Sequence, residues 1–416
     1  MAPTATQTET ITQTPMLLQT PNKMVAAPSS TDYYIPLQLS GALKRFEKND
    51  LTPLIGTRFE AINLTEILHS PVCDQTIRDI AITISQRGVC IFPKQEHLTI
   101  EDQKLLARKL GELTCRPHTS GLHIHPLNQT TMPDGTIDAE LTTLARDPTK
   151  KLHKNQSGFS GGAKVKKQSH VDGWHTDSDT LFASAYEVYD LLSEPYAKLL
   201  EALTATFMPP DHQPAEIEDR MWKGPRGSPE NIGADLRAVH RCIRTNPVTG
   251  WKYVYAMGHH MQGIDRLADV ESKMVKEHME RLVTDNQQLQ LRVKWQPEDL
   301  AIWDNRAVYH CATYDYNAKR VGNRICGVGE KPYLDPRSSG RRKFQYIKRF
   351  TQRERRNPKQ NDAKDSDGWF SDSVRFSRNH LIVFVYTART RREHQNLKYW
   401  LSEREDCIRR DPESNK

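Results

Sequence analysis

A chain of 416 residues, 37% hydrophobic and 27% charged, is long enough to bury a sizeable core as one large domain or two smaller ones. No stretch approaches the roughly 20 apolar residues of a membrane span, and the N-terminal region lacks a basic-then-apolar signal, its first arginine being Arg45. The formal charge of +7 is unevenly placed, because residues 337–416 carry 21 Lys and Arg against 11 Asp and Glu while the first 336 carry 38 against 41.

In chain order, residues 1–35 are rich in Thr, Gln and Pro and read as a disordered leader. Asp74 opens a predicted helix through Gln86; Gly88 stops it, and Val89 to Phe92 before Pro93 reads as a buried strand. Thr99 with Asp102 forms a capping-box signature for a helix through Leu113, with Leu105, Leu106 and Leu110 on one stripe. Residues 147–170 are polar and lysine-rich and predict a mobile loop. Ser184 with Glu187 caps another helix, and Ser193 followed by Pro195 starts the next. Residues 209–235 are loop punctuated by Pro and Gly. Strands are expected at Val239–Arg244, Trp251–Ala256, Leu291–Trp295, Leu300–Trp303 and Arg324–Val328, with a turn at Asn246–Gly250 and a helix near 269–285. Several short strands with helices mostly early suggest a mainly β fold, a two-sheet barrel or jelly roll flanked by helices.

The segment His175-Thr176-Asp177 carries the chemistry. On an extended segment a histidine and a carboxylate two residues apart share a side. With His310 arriving from a distant strand they make a two-histidine, one-carboxylate set. Such a set covers one face of an octahedral metal and leaves the other open for a keto acid and O2. The bland alternatives are a surface His-x-Asp and a core histidine. His123 and His125 could bind a metal as a strand pair, but no carboxylate with matching spacing lies close by, which favours a substrate contact for His125. The pair His259-His260 has no ligand spacing to anything.

Gly121 to Pro126, Gly173-Trp174-His175-Thr176-Asp177, Asp179-Thr180-Leu181, Trp303-Asp304-Asn305-Arg306 running to His310, and Arg320-Val321-Gly322-Asn323-Arg324 together resemble the taurine/sulfonate dioxygenase family. The likeness runs over about residues 36–336 and is nearest to fungal-type sulfonate dioxygenases. It implies a double-stranded β-helix, Fe(II) as metal, and 2-oxoglutarate and O2 as cosubstrates. By the same resemblance His175, Asp177 and His310 are the iron ligands, Arg320 with Thr180 holds 2-oxoglutarate, and Arg324, His125 and Trp174 meet the substrate. A guanidinium forks onto a carboxylate with two charge-assisted hydrogen bonds, and a second arginine with a histidine donor suits a sulfonate. The implied reaction hydroxylates the carbon next to sulfur, releasing sulfite and an aldehyde with succinate and CO2 as co-products. The runner-up is a 2-oxoglutarate-dependent hydroxylase of a carboxylate or biosynthetic intermediate; a degenerate non-catalytic relative is the alternative outside the enzymes.

Two departures stand out. The family places a strand and a loop between the His-x-Asp and the threonine motif, whereas here Thr180 follows Asp177 by three residues, so one core strand is expected to be missing and an edge left open. The tail 337–416 has no family counterpart. Its run Leu381 to Tyr386 is apolar and β-prone, and is expected either to pair with an open edge or to be exposed. The tail's charge reads as a solvated face rather than a nucleic-acid site. Seven scattered cysteines without a CxxC pair suit reduced thiols and a cytoplasmic protein. The expected partner is a small anionic substrate, with no membrane, and homo-oligomerisation stays open.

Overall fold

The computed structural model describes residues 36–146, 179–209, 218–258, 260–313, 320–347 and 382–389, with backbone alone for 145, 146, 320 and 382–389. Its strands in chain order are β1 (Lys48–Asp50), β2 (Thr57–Phe59), β3 (Val89–Phe92), β4 (Thr130–Thr131), β5 (Ile137–Asp138), β6 (Thr142–Arg146), β7 (Thr180–Ser184), β8 (Thr204–Phe207) and β9 (Ala238–Arg241). They continue with β10 (Ile243–Thr245), β11 (Lys252–Val254), β12 (Met261–Ile264), β13 (Gln290–Val293), β14 (Leu300–Asp304), β15 (Val308–Ala312), β16 (Arg320–Val328) and β17 (Ile382–Arg389). The helices are α1 (Leu64–Leu68), α2 (Cys73–Arg87), α3 (Ile100–Glu112), α4 (Ala185–Leu191), α5 (Glu194–Glu201) and α6 (Asp269–Thr284).

Two sheets face each other. The larger runs β1-β2-β3-β14-β17-β16-β6, and the smaller is β13-β7-β15. Pairing is antiparallel throughout both except between β2 and β3. Because strand side chains alternate, β3, β14 and β16 of the large sheet each feed two cores. Val89, Ile91, Ala301, Trp303 and Cys326 point inward and meet Phe182, Leu291, Val293 and Val308 of the small sheet. Phe92, Leu300, Ile302 and Ile325 point outward and pack under Ile77, Ile80 and Ile84 of α2 and Leu106 and Leu110 of α3. A third cluster joins α5, β8, β12 and α6 beside the small sheet.

Local signals explain the helix ends. Thr99 accepts from the Asp102 N–H at 3.0 Å while the Asp102 carboxylate accepts from the Thr99 N–H at 3.3 Å, completing the expected capping box of α3. Ser184 accepts from the Glu187 N–H at the start of α4, and Pro195 lies in the first turn of α5. After β16 a short helix over 341–347 returns to α4, where Arg341 is buried between Glu187 and the Leu54 carbonyl.

The structure departs from the sequence reading at one strand and decides between two alternatives at the tail. The expected strand Val239–Arg244 breaks at Cys242, whose N–H donates to Leu203 and whose carbonyl accepts from Tyr255. The backbone changes partners there, so β9 joins β8 while β10 joins β11. Of the two alternatives for the apolar tail run, the structure shows pairing: β17 lies between β14 and β16 and bonds to both. Among the described residues no helix is long and apolar enough to cross a membrane, and the six described cysteines are free thiols.

Candidate active site

The space between the sheets is where the expected site residues converge. β15 carries His310 opposite Phe182 of β7, with ring centroids 6.3 Å apart. Trp303 of β14 reaches across from the large sheet to within 5.0 Å of the same imidazole. His310 keeps some accessible surface, but enclosure by these rings desolvates it. That desolvation, helped by the positive charge of Arg324, pulls its pKa down to about 4. The imidazole is therefore neutral at physiological pH, the form that ligates a metal.

Arg324 lies on β16 two residues before the inward-facing Cys326. Its charge also reaches His125 and His123. Both histidines sit on a segment that runs alongside β16, with the His123 N–H donating to the Cys326 carbonyl at 2.7 Å and Val328 donating to Gly121 at 2.9 Å. Gly227 braces this segment from behind. It has φ +85°, and a Cβ there would stand 2.5 Å from the Leu122 carbonyl oxygen, so a residue with a side chain could not occupy it without displacing the segment.

Burial first, and Arg324 second, lowers His125 to about 4; burial first, then His125 and Arg324, lowers His123 to about 3. In His125 the Nδ1 atom accepts from the N–H groups of Leu127 and Asn128 at 3.1 and 3.0 Å. A neutral ring accepting at Nδ1 carries its proton on Nε2, which is then a donor. One guanidinium beside a neutral N–H donor is an arrangement suited to an organic anion.

Thr180 opens β7 on the same inward face and accepts from the indole N–H of Trp295 at 2.9 Å. Just before it, the buried Asp179 carboxylate pairs with Arg292, and the Asp179 carbonyl accepts from the N–H and hydroxyl of Thr313. Within the motif Trp303 to Arg306, Asp304 and Arg306 are structural. Asp304 accepts from Arg306, Ser85 and Asn246, and Arg306 also pairs with Glu330. Burial pushes the Asp304 carboxyl up, yet the Arg306 charge and these hydrogen bonds outweigh it and hold it below the usual carboxylate range.

His310, Arg324, His125 and Thr180 are thus gathered along the two strand layers and the segment beside them. Trp174, His175 and Asp177 lie outside the described residues, as does the side chain of Arg320, whose backbone opens β16 opposite Arg146. Among the described residues no three His, Cys, Asp or Glu side chains converge on a metal-sized site.

Residues 47–326 match the family described as taurine catabolism dioxygenase TauD, TfdA family. The chain belongs to this family. TauD/TfdA membership implies a double-stranded β-helix, where the structure has a mixture of helices and small sheets, and Fe(II) with 2-oxoglutarate (alpha-ketoglutarate) as the reaction's equipment. The protein is an alpha-ketoglutarate-dependent dioxygenase. It is 43% identical over 338 residues to the alpha-ketoglutarate-dependent dioxygenase btcD of Neocamarosporium betae, covering 74% of this chain and 97% of that one. It is 39% identical to the alpha-ketoglutarate-dependent dioxygenase esdpJ of Penicillium shearii, covering 74% and 95%. Likeness to a putative alpha-ketoglutarate-dependent sulfonate dioxygenase of Schizosaccharomyces pombe is weaker, at 28% identity over 69% of this chain and 70% of that one. The sequence reading placed the nearest likeness with sulfonate dioxygenases; these identities correct it.

Sequence reasoning missed Trp295 and Trp303 as members of this TauD/TfdA site. Each acts through a contact with a residue far away in sequence, for which single-sequence periodicity carries no signal.

Proposed function

We propose that this dioxygenase hydroxylates a small organic anion, a carboxylate or biosynthetic intermediate in preference to a sulfonate. The observation that carries the reading is the group formed by Arg324 and the neutral His125, a fixed positive charge with an N–H donor beside the His310 face of the barrel. The balance between anions follows the identities: the relatives at 43% and 39% bear no sulfonate in their names, and two that do stand at 28% and 26%.

His310, with His175 and Asp177 from the sequence motif, would hold Fe(II). The donor set of two imidazoles and one carboxylate fits that ion, and the neutral state of His310 supplies the ligating form. The metal, when bound, supplies oxygen activation coupled to decarboxylation of 2-oxoglutarate. This chain's own residues then bind and orient. Arg320 is assigned to the distal carboxylate of 2-oxoglutarate with the Thr180 hydroxyl to help it, Arg324 and His125 to the substrate anion, and Trp174 to its body.

Succinate formation tests the reading, with Fe(II) and 2-oxoglutarate supplied and matched carboxylate and sulfonate substrates offered in parallel. Arg320→Ala should raise the requirement for 2-oxoglutarate and Arg324→Ala that for the substrate, each by roughly thirtyfold or more, the usual cost of orphaning a buried charged partner. Equal effects of both changes on both ligands would undo the assignment. A sulfonate that outpaces every carboxylate would restore the sulfonate reading.

A further inference from the structure

We propose that the tail segment 382–389 completes the large sheet from within its own chain, joining two half-sheets that have no hydrogen-bonded contact with each other. β14 and β16 are not paired together. Each pairs with β17, over Leu300–Asp304 on one side and Val321–Val328 on the other. Without β17 the sheet divides into β1-β2-β3-β14 and β16-β6. The cut would fall between Trp303, which packs on His310, and Arg324, whose charge acts on it.

Sequence and burial agree on where edges belong. The edge strands of the described sheet carry more polar residues: Lys48-Asn49-Asp50, all exposed, and Thr142-Thr143-Leu144-Ala145-Arg146, with three polar residues of five. β14 is different. Leu300, Ala301, Ile302 and Trp303 are all at most 4% exposed, and on β16 Ile325, Cys326 and Val328 are likewise buried. Strands covered on both faces have little water to satisfy an open row of N–H and C=O groups, so an unpaired edge there is costly. Ile382-Val383-Phe384-Val385-Tyr386 has the uninterrupted apolar character of an interior strand. Its register with β16 is continuous, and residues 383–387 have a partner on both sides.

Connection in the same chain is feasible. The 34 residues from 348 to 381 can extend to roughly 110 Å. The strand also lies beyond the stretch that matches the family, which ends at residue 326. The two-residue connection between Asp177 and Thr180 leaves the fold one expected strand short, and β17 is the member found in the interior of the sheet.

The test uses the full chain with a specific protease site inserted near residue 360. After cleavage the tail fragment should co-elute with the body, and the amides of 300–304 and 321–328 should keep their slow hydrogen exchange. Excess synthetic peptide of residues 380–391 should displace a labelled fragment. Val385→Pro removes a ladder donor opposite Ile302 and Ile325. It should release the cut fragment and speed exchange of those amides at least tenfold, and the wild-type peptide should reverse this. Should the variant fail to fold, the cut wild-type protein decides alone. A fragment that leaves while 321–328 stays protected would overturn the proposal. So would a full chain that is dimeric until cut, since the strand would then be exchanged between copies.

Discussion

Trp295 donates its indole N–H to the hydroxyl oxygen of Thr180 across 2.9 Å, with both side chains buried between the sheets. A hydroxyl has one proton to give, and an acceptor bond from the indole settles which way that proton turns. Trp295→Phe keeps the ring's bulk and removes the donor. The requirement for 2-oxoglutarate should rise about three- to tenfold, the worth of one hydrogen bond near 1 kcal/mol. Thr180→Ala should cost at least as much, and the double change should cost no more than Thr180→Ala alone. Additive losses, measured by succinate formation, would show that the two side chains act independently.

His310→Ala should abolish iron-dependent turnover while the circular dichroism and the body of the fold persist. The ring lies against Phe182 and Trp303 and is not part of the Asp304–Arg306 network. His175→Ala and Asp177→Ala should do the same. Direct Fe(II) titration separates this from a loss of cosubstrate; unchanged metal affinity in any one variant removes that residue from the ligand set.

The buried pair Asp304–Arg306, with Ser85, Asn246 and Glu330 around it, ties α2 to the end of β14. Asp304→Ala leaves Arg306 with a charge facing Glu330 alone and should lower stability by about 3–5 kcal/mol. Urea unfolding checks this, and a loss under 1 kcal/mol would mean the network relaxes around the gap.

Asp190 gives a pH dependence of definite sign. Burial raises its carboxyl from 3.8 to about 6, against the opposing pull of the Arg342 N–H that bonds it at 2.9 Å. The folded state thus holds this proton more tightly than the unfolded chain does. Its contribution is fully present below about pH 4 and is lost as pH rises through 6. Asp190→Asn keeps an acceptor for Arg342 without the charge. Relative to the parent it should gain about 1–2 kcal/mol at pH 7 and nothing at pH 4, the figure reduced for the part of the group that water screens. Thermal melts of both proteins across pH 4–8 read the difference; a constant offset would point to packing instead.

Features fixed by neighbours in sequence were legible in advance. The capping box of Thr99 and Asp102, the stop at Gly88 and the extended run from Arg324 follow from local chemistry, and the structure has them. The expectation that His310 and Arg324 share a site came from the family resemblance instead. β8 (Thr204-Ala205-Thr206-Phe207) escaped notice because four alternating residues are too short a run to stand out, and in β12 (Met261-Gln262-Gly263-Ile264) Gly263 also breaks the alternation. The break at Cys242 and the bond from Trp295 depend on partners that only the folded chain brings near.

β17 is the last strand of the described residues in chain order, yet it stands in the middle of the large sheet. Its partners β14 and β16 leave the ribosome long before it does. Until then each presents an unsatisfied edge made of buried-type residues, the kind of surface on which nascent chains associate wrongly. Closing the sheet also requires bringing together segments far apart along the chain, which slows the step further. Yield during synthesis should therefore depend on holding the chain unpaired until its tail emerges, and chaperone supply should change the amount of soluble protein more than the stability of what has already folded.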